Sequence, residues 1–456
     1  MKNMTSGNPV RLILTFAFPL LLGNLLQQTY NMADAAIVGQ FLGSDALAGV
    51  GATSSVQFLV LGFCIGTSVG FCIPVAQKFG AKDYTSMRKY IFNGILLTAA
   101  IAVFTTILTV LLCRNIILLL KTPDAIFGNA YIYLLIIFIG IPFTLLYNFC
   151  AGILRAIGDS RTPFIFLAIS TILNVFLDLF CILVLKWGVA GAAIATIVSQ
   201  GISGILCAAV IIRKFTFLHF EENEKQVNAV ISKNLLLMGI PMGLQYSITA
   251  IGSMVMQGAN NSLGTIYVSG FTAGMKIKQF AMCPFDALAT GVSTFCAQNL
   301  GAGKRDRIRT GMLQGIFIGI GYGLAIGLVL IFFGRPMSLL FIKPDKTQIL
   351  DASAQYLRCM GYFYWALGIL NVARMVTQAL GYAGRAMISG AVEMAARIFV
   401  SLVFVPMSGF TAICWADQTA WITACCFILP TCLLIVRNVT GKLPESVPAE
   451  NAGLQK

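Results

Sequence analysis

The sequence predicts an all-α polytopic membrane protein, with twelve transmembrane helices in two pseudo-symmetric six-helix lobes. Three observations carry this. The chain is 58% hydrophobic and only 11% charged, whereas a soluble globular protein carries about 25% charged residues. Apolar runs long enough to cross a bilayer, about 17–25 residues, occur twelve times. The two halves of the chain also repeat each other.

The repeat is clearest at Ala-Gln-Lys-Phe-Gly-Ala-Lys-Asp (76–83), which returns as Ala-Gln-Asn-Leu-Gly-Ala-Gly-Lys (297–304). Gln77 and Gln298 are thereby 221 residues apart (298 − 77). Pro19 pairs with Pro241, and Ala156-Ile157-Gly158 with Ala379-Leu380-Gly381, at nearly the same offset. In membranes such duplication is typical of transporters, whose binding sites lie between two repeats.

The expected spans of the first half are 10–35, 46–73, 90–113, 129–150, 163–186 and 189–212. Those of the second are 235–260, 272–297, 312–334, 353–380, 386–406 and 411–436. Six spans per half is an even number, so the repeats enter the membrane in the same orientation, as parallel repeats. The expected organisation is an N-terminal lobe (1–212), a cytoplasmic linker (213–234), a C-terminal lobe (235–437) and a cytoplasmic tail (438–456). The first span exceeds the apolar core of a signal peptide, about 7–15 residues, and has a repeat partner near Pro241, so it is read as structural. Pro19, Pro142 and Pro241 lie inside spans, where each removes a helix hydrogen bond and invites a kink. A bend at Pro19 is placed to respond to charge at Asp34, fifteen residues further on.

The formal net charge of +14 needs no polyanionic partner. Lys78, Lys82, Arg88, Lys89, Arg155, Arg161, Arg213, Lys214, Lys225, Lys233, Lys304, Arg305, Arg307, Arg309 and Arg385 fall on one side of the expected spans, with both termini. Only Arg114, Lys121, Lys186, Arg335, Lys343, Lys346 and Arg358 fall on the other. This is the positive-inside pattern, which makes the termini cytoplasmic in a multi-pass protein of the plasma (inner) membrane. The thirteen cysteines show no CxxC spacing and the one histidine, His219, lies in the linker. A zinc, haem or disulfide framework lacks its ligand pattern, and the cysteines are read as small core hydrophobes. No enzyme, cofactor or nucleotide is expected: a serine or cysteine nucleophile would lack its histidine, and there is no phosphate-binding P-loop. The expected partners are the lipid bilayer and small amphipathic molecules, with no nucleic acid, and the chain is expected to act as a monomer.

Acidic side chains at mid-membrane cost about 2.5–3.5 kcal/mol on insertion scales, which makes each a functional candidate. Asp34, Asp178, Asp286 and Glu393 are such residues, with Asp417 expected nearer an outer end. Asp34 follows Gln27, Gln28, Tyr30 and Asn31. Asn174 and Asp178 share a helix face at i, i+4. Thr196 follows a small-residue stretch, Gly188-Val-Ala-Gly-Ala-Ala-Ile-Ala, that lets helices approach closely. Two carboxylates, an amide and a hydroxyl are hard oxygen ligands for Na+, and a buried carboxylate pair also suits a proton. A structural polar network is the alternative reading. Gln27, Tyr30, Asn31, Gln245 and Asp286 are candidates to line a substrate cavity. Glu393 and Arg397, at i, i+4, are candidates for a self-neutralising pair. Lys276 and Lys278 are expected to snorkel to the cytoplasmic interface, and Arg374 to do the same.

Taken in order, these landmarks resemble the multidrug and toxic compound extrusion (MATE) transporters. The matching pieces are Tyr30-Asn-Met-Ala-Asp34 with Val38-Gly39, Ala46-Leu-Ala-Gly-Val-Gly51, Ala76-Gln77 with Gly80-Ala81, and Gly158-Asp159-Ser-Arg161-Thr162-Pro163. Asn174-Val-Phe-Leu-Asp178, Gly188-Val-Ala-Gly191-Ala-Ala-Ile-Ala-Thr196 and Gln298-Asn299-Leu-Gly301-Ala302-Gly303 complete the set. The resemblance covers about 10–437. It implies two lobes around a V-shaped cavity and export of amphipathic, often cationic compounds in exchange for Na+ or H+. It also implies a coupling site in the N-terminal lobe, since Asp34, Asn174, Asp178 and Thr196 all match the branch that has one. A second branch relies on a helix-seven glutamate, and no acidic residue lies between Met238 and Asn261. On this reading a cation loads Asp34 and Asp178 in the outward-open state, and its binding and the drug's oppose each other.

The rival within the same superfamily is a flippase for lipid-linked oligosaccharides or polysaccharides. Its anionic cargo would want cavity cations, for which Lys276, Lys278, Arg374 and Arg397 are available. A receptor or a channel is the more distant alternative. The duplicated architecture argues against a receptor, and a channel would conduct ions steadily without substrate exchange.

Overall fold

The computed structural model describes residues 3–120 and 122–441. Lys2, Lys121 and most of the expected tail lie outside them. The described residues are helical, without strands.

In the first half, α1 (Pro9–Leu42), α2 (Ser44–Gly80), α3 (Tyr84–Leu119), α4 (Asp124–Ile139), α5 (Ile141–Ala156), α6 (Arg161–Leu179) and α7 (Gly188–Lys214) follow one another. The second half has α8 (Ala229–Asn261), α9 (Thr265–Gly301), α10 (Arg305–Ser338), α11 (Thr347–Ala379), α12 (Ala383–Phe399), a short α13 (Val405–Ser408) and α14 (Phe410–Gly441). Helices α4 and α5 form one span bent by 46°. The break falls at Gly140, just before Pro142, whose ring cannot be accommodated inside an unbroken helix. Pro19 and Pro241, in contrast, sit inside unbroken helices.

Among the described residues ten helices are long and apolar enough to cross a membrane singly, and the bent pair makes an eleventh. Helix α11 completes the twelve. It carries Asp351, Arg358 and Arg374 and is the least apolar of the long helices, but α9, α10 and α14 surround it. Protein rather than lipid is its solvent, which removes the need for an apolar surface.

Local signals repeat with the helices. Asn8 caps α1 by accepting from Arg11 N–H, and Asn228 caps α8 by accepting from Val230 and Ile231 N–H. Such caps satisfy orphan donors of the first turn. Gly43 and Gly264, which join the first two helices of each lobe, both have φ near +90° to +100°, a conformation that glycine adopts without cost. After α6 a π-helical turn runs Phe180–Val184, and after α12 another runs Val400–Phe404.

The lobes meet through α2 against α8, and α1 against α9. Gly66 and Gly70 of α2 pack on the backbone of Gly243 and Gly239 of α8. The closest approach is at the end of the bundle bearing loops 81–83 and 302–304. There a Cβ added at Gly80 would overlap the Gln298 carbonyl, and one added at Gly301 the Gln77 carbonyl. Gln77 Nε2 donates to the Ala379 carbonyl at 2.7 Å, and Gln298 Nε2 to the Ala156 carbonyl at 2.8 Å. Each lobe thus reaches across and satisfies an orphan carbonyl at a helix C-terminus of the other. Beyond Ser247, whose Oγ donates to the Leu59 carbonyl at 2.9 Å, no hydrogen bond joins α2 to α8 among the described residues. Toward the other end Gly51 of α2 and Gly258 of α8 face open space, whereas Gly66, Gly70, Gly80 and Gly301 meet backbone of the opposite lobe, so the lobes are closed at one end and part toward the other.

The linker is tied to the closed end. Arg88 bonds Glu224 at 2.6 Å, holding its carboxyl below the usual carboxylate range, and Asn93 Oδ1 accepts from Asn228 N–H.

Candidate functional site

Helices α1, α6 and α7 bring Asp34, Asn174, Asp178 and Thr196 together inside the N-terminal lobe. Gly23 of α1 packs on Phe164 and Leu167 of α6. Tyr30 and Asp34 follow on that same helical face, given 3.6 residues per turn. The Asp34 and Asp178 carboxyls lie within hydrogen-bonding reach of each other. With its amide nitrogen turned toward Asp178, Asn174 donates to Asp178 Oδ2 at 3.0 Å and accepts from Thr196 N–H at 3.2 Å. The Tyr30 hydroxyl meets Thr196 Oγ1 at 3.0 Å.

Asp34 is 8% exposed and Asp178 fully buried, yet Oδ1 of each has no hydrogen-bond partner. Two carboxylates at this spacing repel strongly in a low-dielectric site unless something positive lies between them. The donor set of carboxylates, amide and hydroxyls fits a hard monovalent cation or a shared proton. Among the described residues no three His, Cys, Asp or Glu side chains are placed to hold a metal ion. Tyr133 of α4, also buried, stands within electrostatic reach of Asp34, Tyr30 and Asp178. Sequence reading missed it. Its repeat partner is Tyr356, and a matched pair of membrane tyrosines was the available signal.

The cavity candidates divide. Ile13 and Ala17 of α1 pack on Gly291 of α9. Gln27 and Asn31 continue that face of α1 beyond the point where the lobes part, and both are exposed. Asp286 is exposed as well and accepts from Asn371 Nδ2 at 3.4 Å. Tyr30 belongs to the acid cluster instead. Gln245 is corrected: it is 6% exposed, packs on Gly390 of α12 and bonds Gln378 at 2.5 Å, so it lies inside the C-terminal lobe.

That lobe holds an ionic network of its own. Glu393 and Arg397 pair at 2.8 Å, but the pair is not self-contained. Arg374 Nη2 bonds Glu393 at 2.6 Å, Arg397 Nε bonds Asp417 at 2.9 Å, and Lys278 Nζ bonds Asp417 at 2.5 Å. The Tyr356 hydroxyl donates to Asp417 at 2.8 Å. The expected snorkelling of Lys278 and Arg374 is overturned, because both are buried and ion-paired. Asp417 lies about two turns into α14, nearer that helix's outer end, and is fully buried at the centre of the network. Lys276 is exposed, over the Phe341 ring, but near the end of α9 remote from the basic loop 302–304. Three cations face two carboxylates here, so Asp417→Asn leaves two cations uncompensated. It is expected to destabilise by about 3–5 kcal/mol, read as a fall in melting temperature in detergent. Adding Lys278→Met recovers part of the loss. A D417N protein as stable as wild type would show that the carboxylate is not what neutralises Lys278 and Arg397.

Arg155 is also corrected. It is not a loop cation: it occupies the last turn of α5 and lines a pocket between the lobes.

Fold and site together define a multi-pass membrane protein of two pseudo-symmetric lobes around a cleft, with an acid cluster in one lobe. The chain belongs to the MatE family, whose model matches it twice, over residues 19–180 and 241–403. It is 32% identical over 381 residues to the probable multidrug resistance protein YpnP of Bacillus subtilis, covering 83% of this chain and 84% of that one. To the probable multidrug resistance protein NorM of Thermotoga maritima it is 26% identical over 370 residues, covering 78% and 77%. Among solved structures it resembles an outward-facing multidrug resistance MATE family transporter, at a TM-score of 0.90 and 21% identity, covering 96% and 99%.

Proposed function

We propose that the protein is a cation-coupled antiporter that exports amphipathic, cationic compounds across the plasma membrane, with its termini and closed end cytoplasmic. The observation that carries this is the Asp34–Asp178 pair: two buried carboxyls within hydrogen-bonding reach, each with an unpartnered oxygen, beside a cleft open at one end only. The relatives' names support the cargo, and the basic loops at the closed end support the orientation.

In this reading, a cation entering from outside binds between Asp34 and Asp178, with Asn174, Thr196 and Tyr30 completing its shell. Binding draws α1 toward α6 and α7 and disfavours bound drug, which leaves outward. The flippase reading loses three of its four cations, since Lys278, Arg374 and Arg397 are consumed by the ionic network; Lys276 stays exposed.

The test is ethidium efflux from proteoliposomes under an imposed Na+ gradient, and separately under an imposed pH gradient. One gradient is expected to drive efflux above the undriven leak. Efflux indifferent to both would remove the coupling.

A further inference from the structure

The closed apex of the cleft holds a pocket lined from both lobes. Cys72 of α2 and Arg155 of α5 come from one, and Thr290, Ser293 and Thr294 of α9 with Met375 of α11 from the other. Arg155 is half-buried and makes no ion pair or hydrogen bond among the described residues. A guanidinium carries five donors in a rigid fork suited to carboxylate and phosphate. To leave it unpaired inside a helical bundle is costly, which makes it a candidate site. Across from it, Thr294 Oγ1 donates to the Thr290 carbonyl. The hydroxyls of Thr290 and Ser293 engage no partner among the described residues.

The helical stripes continue upward. Asp286, Thr290, Ser293 and Ala297 lie on one face of α9, and Asn371 and Met375 on one face of α11. Asp286, held by Asn371, therefore stands one turn above the pocket, about 5.4 Å along the axis. Tyr246 is within electrostatic reach of both Asp286 and Arg155. A carboxylate and an unpaired guanidinium thus face one shaft at successive levels.

We propose that Arg155, with the Thr290 and Ser293 hydroxyls, binds an anionic group on the exported molecule while Asp286 takes its cationic end. The cargo is then a zwitterionic amphipath. This rests on the reading of the cleft as the substrate cavity and narrows its substrate class.

The experiment compares norfloxacin, which carries a carboxylate and an amine, with its ethyl ester, which keeps only the amine. Binding is measured on full-length protein in phosphatidylcholine nanodiscs. Arg155→Gln is expected to weaken norfloxacin binding about tenfold or more while the ester moves less than threefold. Arg155→Lys, which keeps the charge, retains most of the affinity for the acid. Equal losses for both compounds, or none for either, would overturn the proposal. If wild-type protein binds neither compound, the substrate-cavity reading falls and this inference with it. If it binds both and R155Q is indifferent, only this inference falls. A second arm adds phosphatidylglycerol. If that lipid displaces norfloxacin from wild type but not from R155Q, Arg155 serves a lipid phosphate, and the assignment to cargo is wrong.

Discussion

Asp178→Asn is expected to uncouple export from the ion gradient while leaving the fold intact. Asparagine keeps the shape of the side chain and a partner for Asn174, which bonds Asp178 at 3.0 Å. It removes one of the two charges between which a cation would sit. A tenfold gradient of the coupling ion supplies about 1.4 kcal/mol per ion. Exchange of one monovalent cation for ethidium, itself a monovalent cation, moves no net charge, so the membrane potential adds nothing. Steady-state ethidium accumulation in inverted vesicles under a tenfold ion gradient is therefore expected to fall by about that factor. Asp34→Asn acts alike, and the double variant adds little, because both residues serve one ion. Undiminished driven accumulation in the double variant would end the coupling assignment. Thr196→Val, which removes only a hydroxyl bonded to Tyr30, is expected to weaken ion affinity without abolishing drive.

The second large effect lies at the closed apex. Gly301→Val places a side chain against the Gln77 carbonyl, and Gly80→Val one against the Gln298 carbonyl. In both cases the obstacle is backbone, so no rotamer change relieves the overlap, and the lobes must separate at that end. The expected outcome is a protein unable to close there, with efflux reduced about tenfold or more, the scale of a few kcal/mol of conformational bias. Cys72, 6% exposed and lining the pocket behind this seam, reports the opening. In a background lacking the other cysteines, it is expected to react with a polar thiol reagent in Gly301→Val but not in the parent. Equal reactivity in the two, with efflux preserved, would show that the seam tolerates the added bulk.

Much of this architecture was readable from the chain, for physical reasons. A bilayer demands long apolar helices, so the spans stand out. Duplication leaves matched landmarks, and Gln77 and Gln298 prove to be the residues by which each lobe grips the other. Asp34, Asn174, Asp178 and Thr196 were legible because carboxylates in apolar helices are conspicuous. What stayed hidden depended on tertiary contact. Lys278 and Asp417 are 139 residues apart, and no spacing rule links them. Without that contact, a lone lysine reads as one that snorkels. Arg155 read as a loop cation because it ends a helix. Only the packing of α5 against the opposite lobe turns it inward. The repeat held a hint, since Arg155 corresponds to Gln378, another polar residue that faces protein.

The wide helical turns at Phe180–Val184 and Val400–Phe404 each follow the helix that carries buried polar groups of its lobe, Asn174 and Asp178 in one and Glu393 and Arg397 in the other. The same local bend therefore frames an acid pair without counter-charge in one lobe, and in the other acids already neutralised by arginine and lysine. An added positive charge has electrostatic room beside the first and none beside the second.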